Sequence, residues 1–317
     1  MLKLSMICGP YDRAQALIDG RVQPEGIGLE VTVNERDPGR PRQLQRGQYD
    51  VAEFYTGQYM ADRAWRRLGY TAIPIFVKRM FRHSYIYKNL KAGIERPSDL
   101  NGRRVGVQSW FTSAAIWSRG MLEDDWGVDI RSITWVAEHD EGADHWTPPD
   151  WLRLEIAPRG TRQFEELAAG RIDAALTTGV WAPGVHPDIG FLFPDYARLE
   201  REYFRRTGFF PIMHTLLVRD AVLERDPWVA ISLFNAWMAS KQRCYERQAW
   251  EHMHLTSLWY RALHEEERAL AGEDFYRWGF AAGRAEVDRM LEYAHRYGLT
   301  PRRLAPEEMF HPSTLGT

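Results

Sequence analysis

Apolar runs with a two-residue period alternate with stretches of helical spacing along the N-terminal part of the chain, the pattern of an α/β protein. Leu2–Cys8 reads as a strand, and the Gly9-Pro10 turn leads into a short helix over Tyr11–Ile18. Gly28–Val33 alternates after the Pro24–Gly26 turn, Gln43–Gln48 carries a short helix, and Tyr49–Glu53 is a buried strand opening into a helix that runs to about Arg67. Thr71–Tyr87 is too long, and too rich in Ile, Phe and Tyr, for one ordinary strand, so it is predicted to cross between lobes.

The rhythm then repeats. After a break at Pro97–Gly102, Arg104–Val107 predicts a strand, Thr112–Trp126 a helix, Ser132–Val136 a strand, Thr161–Gly170 a helix closed by its glycine, and Ile172–Thr177 another strand. A strand returns from Phe209. From Ala221 the chain is helical, with one long helix opened by Pro227-Trp228 and another over Phe275–Tyr297 stopped at Gly298. An αβ half, a crossing, a second αβ half and a return crossing predict a two-lobed α/β fold with an inter-lobe cleft and a helical C-terminal region. The expected division is 1–92 for the first part of lobe 1, 93–204 for lobe 2, and 205–317 for the return to lobe 1 plus the C-terminal helices.

Composition narrows the partners. With 317 residues, 44% of them hydrophobic, the chain can fill two lobes. Its 41 basic and 43 acidic residues give a net charge of -2 without any Lys/Arg block, which argues against nucleic acid. Cys8 and Cys244 form neither a disulfide framework nor a metal spacing, consistent with a reducing compartment. Met1 leads straight into the first strand and no run approaches the ~20 apolar residues of a membrane span, so the expectation is a cytoplasmic protein without a membrane partner. Oligomeric state stays open, a homo-oligomer included.

Two segments concentrate candidate chemistry: RMFRHSYIY at Arg79–Tyr87 and RRTGFFPIMHT at Arg205–Thr215. His83 and His214 have the right intrinsic pKa for proton transfer, with core packing as the alternative for each. Arg82, and less strongly Arg79, could clamp a carboxylate with the planar guanidinium fork, or form ordinary ion pairs. Tyr11, Asp12 and Arg13 occupy the first strand-to-helix connection, where open α/β sheets bind ligands, although Asp12 could simply cap its helix. Glu53 sits at a strand end and could act as a base, orient a histidine, or serve as a buried ion-pair partner. Gln108, Ser109 and Thr112 begin the second-lobe helix, where backbone N–H groups suit an anion; capping is the simpler role for Thr112. Trp110 and Phe111 could stack on an aromatic ring or belong to the core. GxSxG, HExxH and P-loop patterns are absent. No cofactor is expected. For a divalent metal the candidates are His83 and His214 with a carboxylate, then the acidic stretch His139, Asp140, Glu141, Asp144 and His145, and least of all His252 and His254.

The string CGPYDRAQALIDGRVQPEGI at Cys8–Ile27 resembles the opening of the 4,5-dihydroxyphthalate decarboxylase family, whose fold is that of type II periplasmic binding proteins. Ile73–Tyr87, Asp99–Val107, Leu192–Thr215 and Tyr297–Leu315 resemble further family segments in order, so the likeness covers nearly the whole chain. FRHS and FPIMHT are its more specific strings; DLNGRRVGV is shared widely among two-lobed binding proteins. The resemblance implies non-oxidative decarboxylation of a hydroxylated aromatic carboxylate, most simply 4,5-dihydroxyphthalate to protocatechuate. The alternative it leaves is a solute-binding protein that closes on an aromatic or heterocyclic acid without chemistry. Gln108–Thr112 and Asp274–Gly279 depart from the family pattern and bear on the pocket more than on the fold.

Overall fold

The computed structural model describes the chain except residues 35–39, 66–67, 140–145, 182–183, 185 and 251–253. Two sheets carry the architecture. The first contains β1 (Leu2–Cys8), β2 (Ile27–Val33), β3 (Val51–Tyr55), β4 (Tyr70–Arg79) and, at the far end of the sequence, β11 (Ile212–Arg219), in the order β2-β1-β3-β11-β4. The second contains β5 (Ile86–Asn89), β6 (Arg104–Val107), β7 (Thr134–Ala137), β8 (Arg153–Ile156), β9 (Ala174–Leu176) and β10 (Ile189–Phe191), in the order β10-β5-β9-β6-β7-β8. Helices cover the sheets, as parallel pairs β1/β2, β1/β3 and β6/β7 require. This is the two-lobed α/β arrangement expected from the sequence.

The expected long crossing strand is in fact broken. β4 ends at Arg79, a single 3-10 turn spans His83–Tyr85, and β5 begins at Ile86. β5 pairs with β9 and β10, so residues 86–89 side with the second sheet. The apolar run continues through the crossing because both strands are buried, which is why periodicity alone could not divide it. β8 and β10 had no signal in the sequence: they are short and their side chains largely half-buried or exposed. The helix Tyr196–Thr207, rich in arginine and glutamate, was likewise not expected.

The lobes are pinned where the helix Ser113–Trp126 starts. Ser113 Oγ donates to Met213 O on β11 at 2.6 Å and accepts from Gly57 N–H at 3.0 Å, and Trp117 Nε1 donates to Ile212 O at 2.9 Å. Only glycine fits at position 57, since a Cβ there would run into Phe111 O.

β4 is an edge strand, and its edge is closed rather than left open. Trp278 Nε1 donates to Phe76 O at 2.8 Å, Gly279 N–H to Pro74 O at 2.9 Å, and Phe310 makes a parallel bridge to Ala72. Pro74, lacking an N–H, is tolerated within this edge strand.

Candidate active site

β1 and β3 run parallel and end together at Cys8 and Tyr55, which brings the loop after β1 against the last residues of β3. Glu53, two residues before that end, is fully buried. Its Oε2 accepts from Gly9 N–H at 2.7 Å, and its Oε1 accepts from the Tyr11 hydroxyl at 2.6 Å. His214 completes the set: its Nδ1 lies 2.5 Å from the same Oε1. Three donors thus compensate a carboxylate removed from water, a burial that would otherwise be costly. Strand register holds the imidazole there. His214 lies opposite Tyr55 of β3 and Lys78 of β4, so the three residues form a row across adjacent strands. The Tyr55 ring meets the imidazole edge-on at 4.9 Å, while 12% of the His214 side chain still reaches solvent.

A cation stands beside this cluster. The Arg13 guanidinium lies between two aromatic rings, 4.3 Å from the centre of Tyr11 and 4.1 Å from that of Tyr276. Its Nε donates to Val77 O at 3.1 Å, Nη2 bonds the same oxygen, and Nη1 reaches Asp12 at 3.3 Å. An imidazole, a buried carboxylate bonded to it and a guanidinium are therefore assembled at the C-terminal ends of β1, β3 and β4, the usual ligand end of an α/β sheet, a set able to move a proton and to meet an anion.

No family model matches the chain. It is 35% identical over 324 aligned residues to the 4,5-dihydroxyphthalate decarboxylase of Comamonas testosteroni, covering 99% of this chain and 98% of that protein. The chain belongs to the 4,5-dihydroxyphthalate decarboxylase family. The enzyme of that name from Pseudomonas putida is 30% identical over 218 residues, 66% of this chain and 83% of its own. In fold the chain is similar to the periplasmic aliphatic sulphonate binding protein of Escherichia coli, with a TM-score of 0.53 at 12% identity, covering 98% of this chain and 91% of that one. A Candida albicans protein described as having the generic periplasmic-binding-protein fold gives the same TM-score of 0.53 at 12% identity, covering 95% and 91%. Family and fold thus agree with the resemblance seen in the sequence.

Within this family member the second histidine lies elsewhere. His83 is buried in an aromatic cage, 5.3 Å from the ring of Phe193 and 5.7 Å from that of Tyr203, with no hydrogen-bond partner for Nδ1 among the described residues. Burial pushes its pKa down to about 4, helped by the charges of Arg206 and Arg82. Its surroundings are rings rather than carboxylates, so among the described residues it does not join a carboxylate and His214 in the set of metal ligands the sequence offered. Among the described residues no group of three His, Cys, Asp or Glu side chains is placed to hold a metal ion. Asp140, Glu141, Asp144, His145 and His252 lie outside the described residues.

The other candidates divide in the same way. Arg82 is buried beside His83, where Nη2 bonds Thr177 O, Nη1 meets Met213 Sδ at 3.9 Å and the guanidinium covers the Tyr85 ring at 4.5 Å. Met213 turns away from His214's side of β11, because neighbouring residues in a strand face opposite ways. Burial pulls the Arg82 pKa down to about 10. Arg79 is neutralised by Glu286 at 2.6 Å and also donates to Phe210 O and Arg277 O, the ties of a structural pin rather than of a substrate clamp. Trp110 is fully buried, with Nε1 bonded to Tyr297 O at 3.2 Å and Arg119 over its face at 3.7 Å, so it is core and not a stacking platform. Thr112 caps its helix by accepting from Ala115 N–H at 3.3 Å, Ser109 Oγ accepts from Phe111 N–H at 3.2 Å, and Gln108 is half-buried just before them. Asp12 is exposed and accepts from Arg13 N–H at 2.7 Å and Gln248 at 3.1 Å.

Sequence reasoning missed Tyr55, Lys78 and Tyr276. Tyr55 carried a usable signal, since residues two apart in a strand share a face and Glu53 was already a candidate. Tyr276 lies within Asp274–Gly279, the stretch that departs from the family pattern, but nothing singled it out there, and Lys78 carried no signal, because strand register and the cover of the β4 edge are long-range.

Proposed function

We propose that this protein removes one carboxyl group of 4,5-dihydroxyphthalate as carbon dioxide, without oxidation, leaving protocatechuate. The observation that carries the reading is the full-length relation, at 35% identity, to a protein of that name. The geometry around His214 is what such a reaction needs. Each carboxylate of the substrate stands para to a hydroxyl, so protonation of the ring carbon that bears it gives a cation delocalised onto that hydroxyl. The carbon–carbon bond then breaks, its electron pair restores the aromatic ring, and carbon dioxide leaves.

In this reading the ring is its own electron sink and the protein supplies a proton and a place to bind. His214, with Nδ1 engaged by Glu53, delivers the proton through Nε2. Glu53 fixes the tautomer and stabilises the imidazolium, and Tyr11 keeps Glu53 in place. Arg13 holds the carboxylate that stays behind. The reading includes neither Arg79 nor Trp110, and treats His83 and Arg82 as supports of the crossing between the sheets. Neither named relative is called a binding protein, which disfavours capture without chemistry.

The test is to incubate purified protein with a panel of hydroxybenzoates and hydroxyphthalates while recording carbon dioxide and product. Release from 4,5-dihydroxyphthalate, with protocatechuate formed in equal amount, is the expected result, and binding without release from any of them would leave a solute-binding protein. Turnover is also expected to survive exhaustive chelation, because no step is routed through a metal. Loss that one divalent ion restores would replace this mechanism by a metal-assisted one.

A further inference from the structure

The stretch Asp274–Gly279 that closes the β4 edge also reaches the site, through Tyr276. We propose that Tyr276 is a positioning residue that fixes Arg13 as the carboxylate clamp, braced from behind by Lys241, Tyr245 and Asp274. The proposal rests on the decarboxylase reading above and names what sets its substrate affinity.

Every polar group of Tyr276 is engaged. Its hydroxyl donates to Val77 O at 3.2 Å and accepts from Arg79 N–H at 2.8 Å, its N–H donates to the Tyr245 hydroxyl at 2.9 Å, and its carbonyl accepts from Lys241 Nζ at 3.2 Å. Asp274 ties the brace together, accepting from Lys241 at 2.6 Å and from the Tyr245 hydroxyl at 2.9 Å. Lys241 is only 3% exposed. A buried ammonium is costly unless paired, so Lys241 is held by its bond to Asp274, whose own side chain is 48% exposed, and the cluster acts as a strut behind Tyr276. The strut holds the Tyr276 ring against Arg13.

Sealing an edge strand needs only the hydroxyl and backbone of Tyr276. The ring does something more: with Tyr11 it sandwiches a guanidinium whose side chain is 15% exposed and whose only acidic partner among the described residues, Asp12, is 58% exposed. Three of its N–H donors have partners among the described residues, and a guanidinium has five. The Tyr11 ring in turn belongs to the residue that donates to Glu53, so the clamp and the His214 cluster share a wall. Arginine between two rings keeps its fork in one plane, which is what a planar carboxylate reads.

The experiment compares wild type, Tyr276→Leu, Asp274→Asn, Arg13→Met and the double variant Arg13→Met/Tyr276→Leu. Affinities are measured for phthalate, which has the carboxylates but no hydroxyls to drive the reaction, and for catechol, which has only the hydroxyls. Tyr276→Leu is expected to weaken phthalate about tenfold and catechol hardly at all, to raise KM by a similar factor, and to leave kcat within about threefold. Asp274→Asn touches neither ring and should shift phthalate about threefold in the same direction, keeping the idea testable if Tyr276→Leu does not fold. In the Arg13→Met background the Tyr276 effect should vanish. Equal phthalate affinity in wild type, Tyr276→Leu and Asp274→Asn overturns the proposal, as does equal loss for phthalate and catechol or a full Tyr276 effect without Arg13. A wild type that binds phthalate but releases no carbon dioxide from 4,5-dihydroxyphthalate would instead defeat the decarboxylase reading, leaving the clamp standing on the binding data.

Discussion

His214 and His83 occupy similar places in the sequence, each at the edge of an apolar run beside arginines and aromatics, yet their surroundings are opposite in kind. His214 faces a buried carboxylate, a tyrosine hydroxyl one bond away and a lysine in register, with part of its side chain at solvent. His83 faces Phe193 and Tyr203 and has two arginine charges nearby. One environment gives the ring a carboxylate partner; the other gives it none and keeps it neutral. The residue type alone therefore says little about role: the neighbours that decide it come from β3 and β4 in one case, and from the helix Tyr196–Thr207 and its approach in the other.

The contrast breaks most readily at His214. In His214→Gln the amide cannot carry a proton to the ring, and turnover is expected to fall by about 100-fold or more, the usual scale for loss of a general acid. Thermal stability should move little, since a hydrogen-bonding group of related shape remains against Glu53. Turnover close to wild type, measured on protein with an unchanged melting curve, would take His214 out of the mechanism.

Glu53→Gln sharpens the same side with a smaller effect. The amide keeps the shape but loses the charge that stabilises the imidazolium, so kcat is expected to fall about tenfold or more while KM changes little. If KM rises and kcat holds, Glu53 serves substrate binding and the orienting role is lost. The buried position of Glu53 makes a stability measurement a necessary companion, because three donors lose a full charge at once.

Much of the fold was legible because local patterns and fold agree over long stretches: β6 is found at the residues expected, and Thr112 caps the second-lobe helix as its position suggested. What was hidden is nonlocal. The break between β4 and β5 leaves no mark in hydropathy, since both strands are buried, and edge strands such as β8 lack the apolar alternation that announces a strand. In the site, Tyr11, Arg13, Glu53 and His214 could be nominated one by one from strand ends and connections. Their meeting depends on β11 inserting between β3 and β4 from more than a hundred positions away, and on Tyr276 returning to cover an edge. Arg82 and Arg79 show the converse: Arg82 adjoins His83 in sequence, which suggested a clamp there and, less strongly, at Arg79, but an arginine's reach lets Thr177 and Glu286 claim them.

The smallest effect on turnover is expected at His83, where the consequence appears in stability instead. His83→Leu replaces the ring by an apolar group of similar volume in an apolar cage, so kcat should stay within about threefold; a loss near that of His214→Gln would return His83 to the catalytic machinery. The pH dependence gives the sharper reading. The pKa of His83 is about 4 in the folded protein against 6.5 for an unperturbed histidine. The unfolded chain therefore binds the extra proton between those values, and the contribution of the neutral ring, fully present above about pH 6.5, is lost as pH falls towards 4. A shift of that size corresponds to about 3 kcal/mol at the acid end, of which about 2 kcal/mol is already lost at pH 5. Glu200, bonded to Ser84 and raised in pKa by its own burial, contributes with the opposite sign, and Arg82, with a pKa of about 10, keeps its charge across this range. Wild type alone would thus mix the terms, but the difference between wild type and His83→Leu isolates the histidine. Denaturant unfolding at pH 7.5 and pH 5 is expected to show wild type losing about 2 kcal/mol more than the variant on acidification. Parallel losses in the two proteins would mean that His83 takes up its proton without cost, and that the aromatic cage is open enough to hydrate an imidazolium.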